Sequence, residues 1–257
     1  MGFSRSKPSF HRAFSRRAGS GRQASPHVEG FSLPEMMIAM AVTVILSSLI
    51  WVNYQSQHEA SLFQIQTLAM QEDLRSTMTL IADDLRMAGY DPIRQAGRPP
   101  VGTGILLAGR DRIRITMDLN GDGDTDDPNE DVDYRVKDSD GGSALHRKSS
   151  SGGRASFQPV INHVEAIDFV YLDRNGKVLD DDGQGSVTER VDRISSIQIL
   201  LAVRSPLEDR KVRHTAGLFN LQGRCILPAS QDAYRRASLI EAVYCRNLRV
   251  EDDDARS

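Results

Sequence analysis

From Phe31 to Val52 the chain is apolar and uncharged except at Glu35, and the seventeen residues Met36 to Val52 hold no ionisable side chain at all. A helix needs about twenty such residues to cross the hydrocarbon core of a bilayer, so this run commits the chain to a lipid-embedded or otherwise apolar helix near its start. Glu35 is then costly, by a few kcal/mol, and an acid so placed calls for a partner and a function. The bland alternative is a signal anchor whose Glu35 rests near the headgroups. Pro34 fits either reading, because proline is tolerated in the first helical turn, where backbone N–H groups have no intrahelical acceptor.

Residues 1–30 hold Arg5, Lys7, Arg12, Arg16, Arg17 and Arg22 against a single acid, Glu29, with Gly, Ser, Pro and His and no hydrophobic period. They read as a basic leader. A secretory signal peptide places its cleavage site after the apolar core. Here the recognisable junction, Gly30-Phe31-Ser32-Leu33-Pro34-Glu35, lies before it. That string resembles the processing site of type IV prepilins. The resemblance implies cleavage by prepilin peptidase between Gly30 and Phe31, N-methylation of Phe31, and retention of the apolar segment on the mature protein. It also implies an assembly role for Glu35, whose carboxylate would meet the α-amino group of a neighbouring subunit. Each charge offsets the other, and a shifted register would leave both buried and unpaired, which is strongly destabilising.

Removing the leader leaves 26 Lys and Arg against 34 Asp and Glu, a net charge of −8. Nucleic-acid binding calls for a clustered basic surface, and the basic concentration lies in the segment expected to be discarded, so no nucleic-acid partner is expected. About two hundred residues follow the apolar run, enough for one core.

Helical period continues past Asn53. Leu74, Met78, Ile81, Leu85 and Ala88 recur at steps of four and three, one face of a helix. Gly89 supplies a stop and Pro92 forbids resumption. A continuous helix from about Pro34 to Ala88 would be about 80 Å long. Its end, Leu80-Ile81-Ala82-Asp83-Asp84-Leu85-Arg86-Met87-Ala88-Gly89-Tyr90, is similar to the end of the first helix in PilW-type minor pilins, relatives of the J-type pseudopilins of type II secretion. Arg235-Arg236-Ala237-Ser238-Leu239 and Val243-Tyr244-Cys245-Arg246-Asn247-Leu248 resemble the closing strand of that family.

After Pro100 the period becomes two. Ile113, Ile115 and Met117 alternate with polar neighbours, as do Val132, Tyr134 and Val136; Ile167, Phe169 and Tyr171; and Ile197, Ile199, Leu201 and Val203. These read as half-buried antiparallel strands. Asn175-Gly176 is a strong hairpin turn, and Ser149-Ser150-Ser151-Gly152-Gly153 reads as a flexible loop. The expected fold class is α+β and pilin-like: a long N-terminal helix whose distal half packs on an antiparallel β-sheet head. The expected segments are a leader over 1–30, a transmembrane or filament-core half-helix over 31–53, an amphipathic half over 54–89, a head over 90–250 and an acidic tail over 251–257.

Two further features bear on chemistry. In the loop from Asp118 to Glu130, Asp118, Asn120, Asp122, Asp124 and Asp126 fall at positions one, three, five, seven and nine, with Gly123 at six, the spacing that Ca²⁺ requires of a short loop. Asn129 stands where a bidentate Glu is expected, Glu130 comes one residue late, and strands rather than helices flank the loop. The alternatives are a structural Ca²⁺ site and a solvated turn rich in Asp and Gly. Cys225 and Cys245 are the two cysteines. In an exported chain a bridge between them is expected and would stabilise by roughly 3 kcal/mol; the alternative is two buried thiols.

His11, His27, His58, His146, His163 and His214 are scattered without a metal or catalytic spacing, and no nucleophile-elbow or phosphate-loop motif is present. Asp83-Asp84 and Asp180-Asp181-Asp182 read as solvated charge, and Trp51 as an interface anchor. The reading is therefore of a non-enzymatic minor pilin, anchored in the inner membrane with a periplasmic head and later carried into a pilus. Its expected partners are prepilin peptidase, other minor and major pilins, the inner-membrane assembly platform and the lipid bilayer. A J-type type II secretion pseudopilin and a membrane-anchored calcium-dependent adhesion module are the competing readings.

Overall fold

A helix, α1, runs Leu33–Met87, one residue from the bounds its periodicity predicts. The computed structural model describes residues 30–93, 102, 104–139, 142–149, 156–209, 212–213 and 216–248. Leader residues 1–29, most of the Ser149–Gly153 loop and the acidic tail lie outside them. Two units are distinguished, Met1–Gln55 and Ser56–Ser257.

In the first unit α1 is apolar all round, and its described side chains are exposed. Met37, Ile38, Val44, Ile50 and Val52 are each more than 60% exposed. By length and composition this helix can cross a membrane.

In the second unit α1 becomes amphipathic. All five stripe residues, Leu74, Met78, Ile81, Leu85 and Ala88, are buried, joined by Met70 and Ala82. Each large side chain removed from water contributes about 1.5–3 kcal/mol. The helix stops where Gly89 takes φ +80 and donates its N–H to Thr116 O at 3.0 Å. A Cβ there would lie 2.9 Å from Asn247 O, so both conformation and space demand glycine.

Among the described residues eleven strands follow. Five form an antiparallel meander in sequence order: β1 (Gly104–Ala108), β2 (Arg112–Thr116), β3 (Asp131–Ser139), β4 (Gly142–Ser149) and β5 (Ser156–Asn162). A second sheet holds β6 (Val164–Leu172), β7 (Val178–Leu179), β8 (Ser196–Glu208) and β11 (Tyr234–Tyr244) in the order β11-β8-β6-β7. A two-stranded ribbon pairs β9 (Leu218–Phe219) with β10 (Cys225–Leu227). The β-structure is thus divided among three sheets. The corner between the two large ones is His163, which separates β5 from β6 at φ +58, a left-handed conformation that ends one ladder and redirects the chain into another.

Period-two reading locates the buried faces well. Ile113, Ile115, Val132, Tyr134, Phe169, Tyr171, Ile197, Ile199, Leu201 and Val203 are all buried and share one core with the distal helix stripe. Asn175-Gly176 makes the expected turn, with Tyr171 opposite Leu179 and Leu172 opposite Val178 and Gly176 at φ +77.

One expectation about the helix needs correcting. Asp84 is not solvated charge: it accepts hydrogen bonds from Tyr134 Oη at 2.5 Å and Arg147 Nε at 2.8 Å, and its side chain is 16% exposed. Tyr134 and Arg147 are register partners on β3 and β4, so the sheet delivers both to one carboxylate. Burial and the Asp84 charge raise the Tyr134 pKa. Burial alone would lower Arg147, but its bonds to Asp84 outweigh that and raise it. Asp84→Ala should cost about 3 kcal/mol by stranding the Arg147 charge, read as a lower urea midpoint at unchanged slope. Asp83→Ala, whose exposed partner is Arg86, should cost less than about 0.5 kcal/mol.

Candidate processing and assembly site

Gly30, Phe31 and Ser32 precede the helix in exposed chain. Ser32 O accepts the N–H of Met36 at 3.1 Å, which makes Ser32 the N-cap and Glu35 the third helical residue. The Glu35 carboxylate reaches back to Ser32 N at 3.4 Å and Ser32 Oγ at 3.5 Å. This is the return half of a capping box, in which the third residue's acid accepts the cap residue's orphan N–H. The Ser-x-x-Glu spacing carries that role in the sequence, and reading Glu35 only for its charge misses it. Gly30 and Phe31 thus lie just before the first turn and Glu35 within it, all three exposed.

The loop Asp118 to Glu130 is held by hydrogen bonds between its acids and its own backbone. Asp118 is fully buried and accepts Gly121 N at 2.5 Å and Gly123 N at 3.0 Å. Glu130, also buried, accepts Leu119 N at 2.7 Å and Asp127 N at 3.4 Å. Asn120, Asp122 and Asp124 each accept the N–H two residues on, in a run of Asx turns, and Asp126 donates its N–H to Asp124. Among the described residues no three His, Cys, Asp or Glu side chains converge to hold an ion. In this arrangement the loop's acids accept hydrogen bonds from its own backbone amides.

Cys225 and Cys245, the expected bridge, are both free thiols in this structure. Cys225 is exposed at the start of β10, while Cys245 follows β11, buried in the core with its N–H on Ser195 O. Sequence separation and compartment do not bring their Cβ atoms together. Burial pushes the Cys245 thiol up to about 12. A thiol reagent at pH 8 without reductant should therefore count one cysteine in the native protein and two after denaturation; none in either state would restore the bridge.

Comparison with known proteins bears directly on the N-terminus. The prokaryotic N-terminal methylation motif matches residues 26–51, the end of the leader, the Gly30-Phe31 junction and the apolar run. Prepilin peptidase-dependent protein B matches residues 63–216, more than half of the chain. The chain belongs to that family. It is a type IV prepilin-like protein, and the family match runs from the distal part of α1 through β8, leaving β9–β11 beyond it. No curated protein matches in sequence. Among solved structures, a type IV-like pilin from Thermus thermophilus is 18% identical, with a TM-score of 0.43, covering 70% of this chain and 97% of that one.

Proposed function

We propose that this protein is a minor pilin. Prepilin peptidase cuts between Gly30 and Phe31 and methylates the new amino group. The apolar part of α1 then holds the chain in the inner membrane, with the head on the periplasmic side, until the assembly platform inserts it into a type IV pilus among major and other minor pilins. The carrying observation is the position of the methylation motif: its junction lies three residues before a helix whose first unit exposes apolar side chains on every face. So much uncovered apolar surface requires lipid before assembly and neighbouring helices after it. Glu35 lies in the first turn, four residues after the amino group that cleavage would create, and that separation suits pairing with a neighbour's amino group displaced along the filament. The role is structural.

Mass spectrometry of the mature N-terminus tests the proposal. The expected species begins with N-methyl-Phe31 and lacks residues 1–30. A mature protein beginning after Val52, or at Met1, would overturn it.

A further inference from the structure

The outward face of the five-stranded sheet is charged unevenly. Across it, Arg112 and Arg114 of β2 lie beside Asp133 and Asp131 of β3, with Lys148 of β4 adjoining. Arg112 and Arg114 each hold one of these aspartates through two nitrogens, and Lys148 Nζ adds a third bond to Asp131 at 3.0 Å. Both carboxylates are thereby consumed. Two cations further along β3 are left over. Arg135 Cζ lies 3.5 Å and Lys137 Nζ 4.4 Å from the centroid of the same ring, Phe157 of β5. Neither has a carboxylate partner among the described residues, and Arg135 Nε is buried with no acceptor.

Two like charges over one ring repel each other. The ring's negative face offsets part of that cost, but an incoming anion would relieve more of it. The pair is held rigidly by the ladder, so an anion binding here would meet little ordering cost. We propose that Arg135, Lys137 and Phe157 form a docking surface for an acidic polypeptide segment, an Asp- or Glu-rich loop on a neighbouring protein. Charge complementarity selects this occupant. The full chain is net acidic, at −3, and the opposite end of the same sheet ends in the acidic loop with exposed Asp122, Asp124 and Asp126. A long polyphosphate or an anionic bilayer would extend over that repulsive surface, whereas a short carboxylate loop meets only the local cations. The surface stands independently of the processing of the N-terminus.

The test uses the full-length protein in non-ionic detergent with fluorescein-labelled hexaglutamate as probe, read by anisotropy. Arg135→Ala with Lys137→Ala should weaken binding about ten-fold or more, whereas Arg174→Ala with Lys177→Ala, which removes the same charge from the β6–β7 turn, should leave it within about two-fold. Melting curves establish that the variants fold. Should the double variant unfold, Lys137→Glu alone must still weaken the probe. Unchanged hexaglutamate affinity overturns the proposal. So does a loss seen only with duplex DNA, with phosphatidylglycerol vesicles or in self-association of the protein.

Discussion

Gly30→Ala should leave essentially all of the protein at precursor length, still carrying residues 1–30, while the chain folds and inserts as before. The separation of these two outcomes rests on the structure around Gly30. A Cβ built there meets nothing within 4 Å, and the residue is not in the left-handed region, so the fold makes no demand for glycine. Gly89 is the contrast: there an added Cβ would collide with Asn247 O, and Gly89→Ala should impair the head itself. If alanine at position 30 blocks maturation, the demand comes from the peptidase, whose subsite must receive an extended, side-chain-free residue immediately before the scissile bond. Immunoblotting or intact-mass measurement of the membrane fraction reads the result. Protein of mature mass from the Gly30→Ala gene would sink the assignment of the junction.

Glu35→Gln should give processed, methylated protein that is no longer incorporated into filaments. The choice of glutamine separates two roles that alanine would remove together. In the single chain, Glu35 Oε2 accepts from Ser32 N and Oγ, and a glutamine carbonyl can accept those same bonds. Capping is worth about 1 kcal/mol and survives the substitution. Charge does not. A neighbour's new α-amino cation, buried among apolar helices without a counter-charge, is penalised by several kcal/mol, and an equilibrium shift of that size reduces incorporation by about a hundred-fold or more. Sheared filament fractions compared with membrane fractions report the effect. Wild-type incorporation of the glutamine variant would show that Glu35 serves only as a helix cap.

Much of the fold is legible because its cues are local. Leu74 to Ala88 declare a helix face within four turns, and Asn175-Gly176 states a hairpin in two residues. β4 is harder to read. Its sequence Gly-Ser-Ala-Leu-His-Arg-Lys-Ser puts a charged residue, Arg147, on the same inward face as Leu145, and the reason is Asp84, a partner 63 residues away. Asp84 was opaque for the same reason, since nothing beside it in sequence announces Arg147 or Tyr134. The acidic loop shows a different difficulty. Oxygens at alternate positions suit a cation, and they also suit the backbone N–H groups of a tight loop, which Asp118 and Glu130 turn inward to accept. For the cysteines, spacing gives the loop length and says nothing of where the Cβ atoms point. At the N-terminus the junction and the acid were both visible, and the missed element was the ordinary helix-capping use of Ser32 with Glu35.

The seam at Gly89 also sets an order in time. Asn247 Nδ2 caps the carbonyl of Arg86, 161 residues earlier in the chain, at 2.8 Å, and β11 joins its sheet only through β8. During synthesis the distal helix face is complete long before the strands that cover it exist, and such distant pairings form slowly. A growing chain therefore carries its apolar stripe uncovered through most of its production, and a ribosome that stops before Asn247 releases a head whose first helix has no finished end.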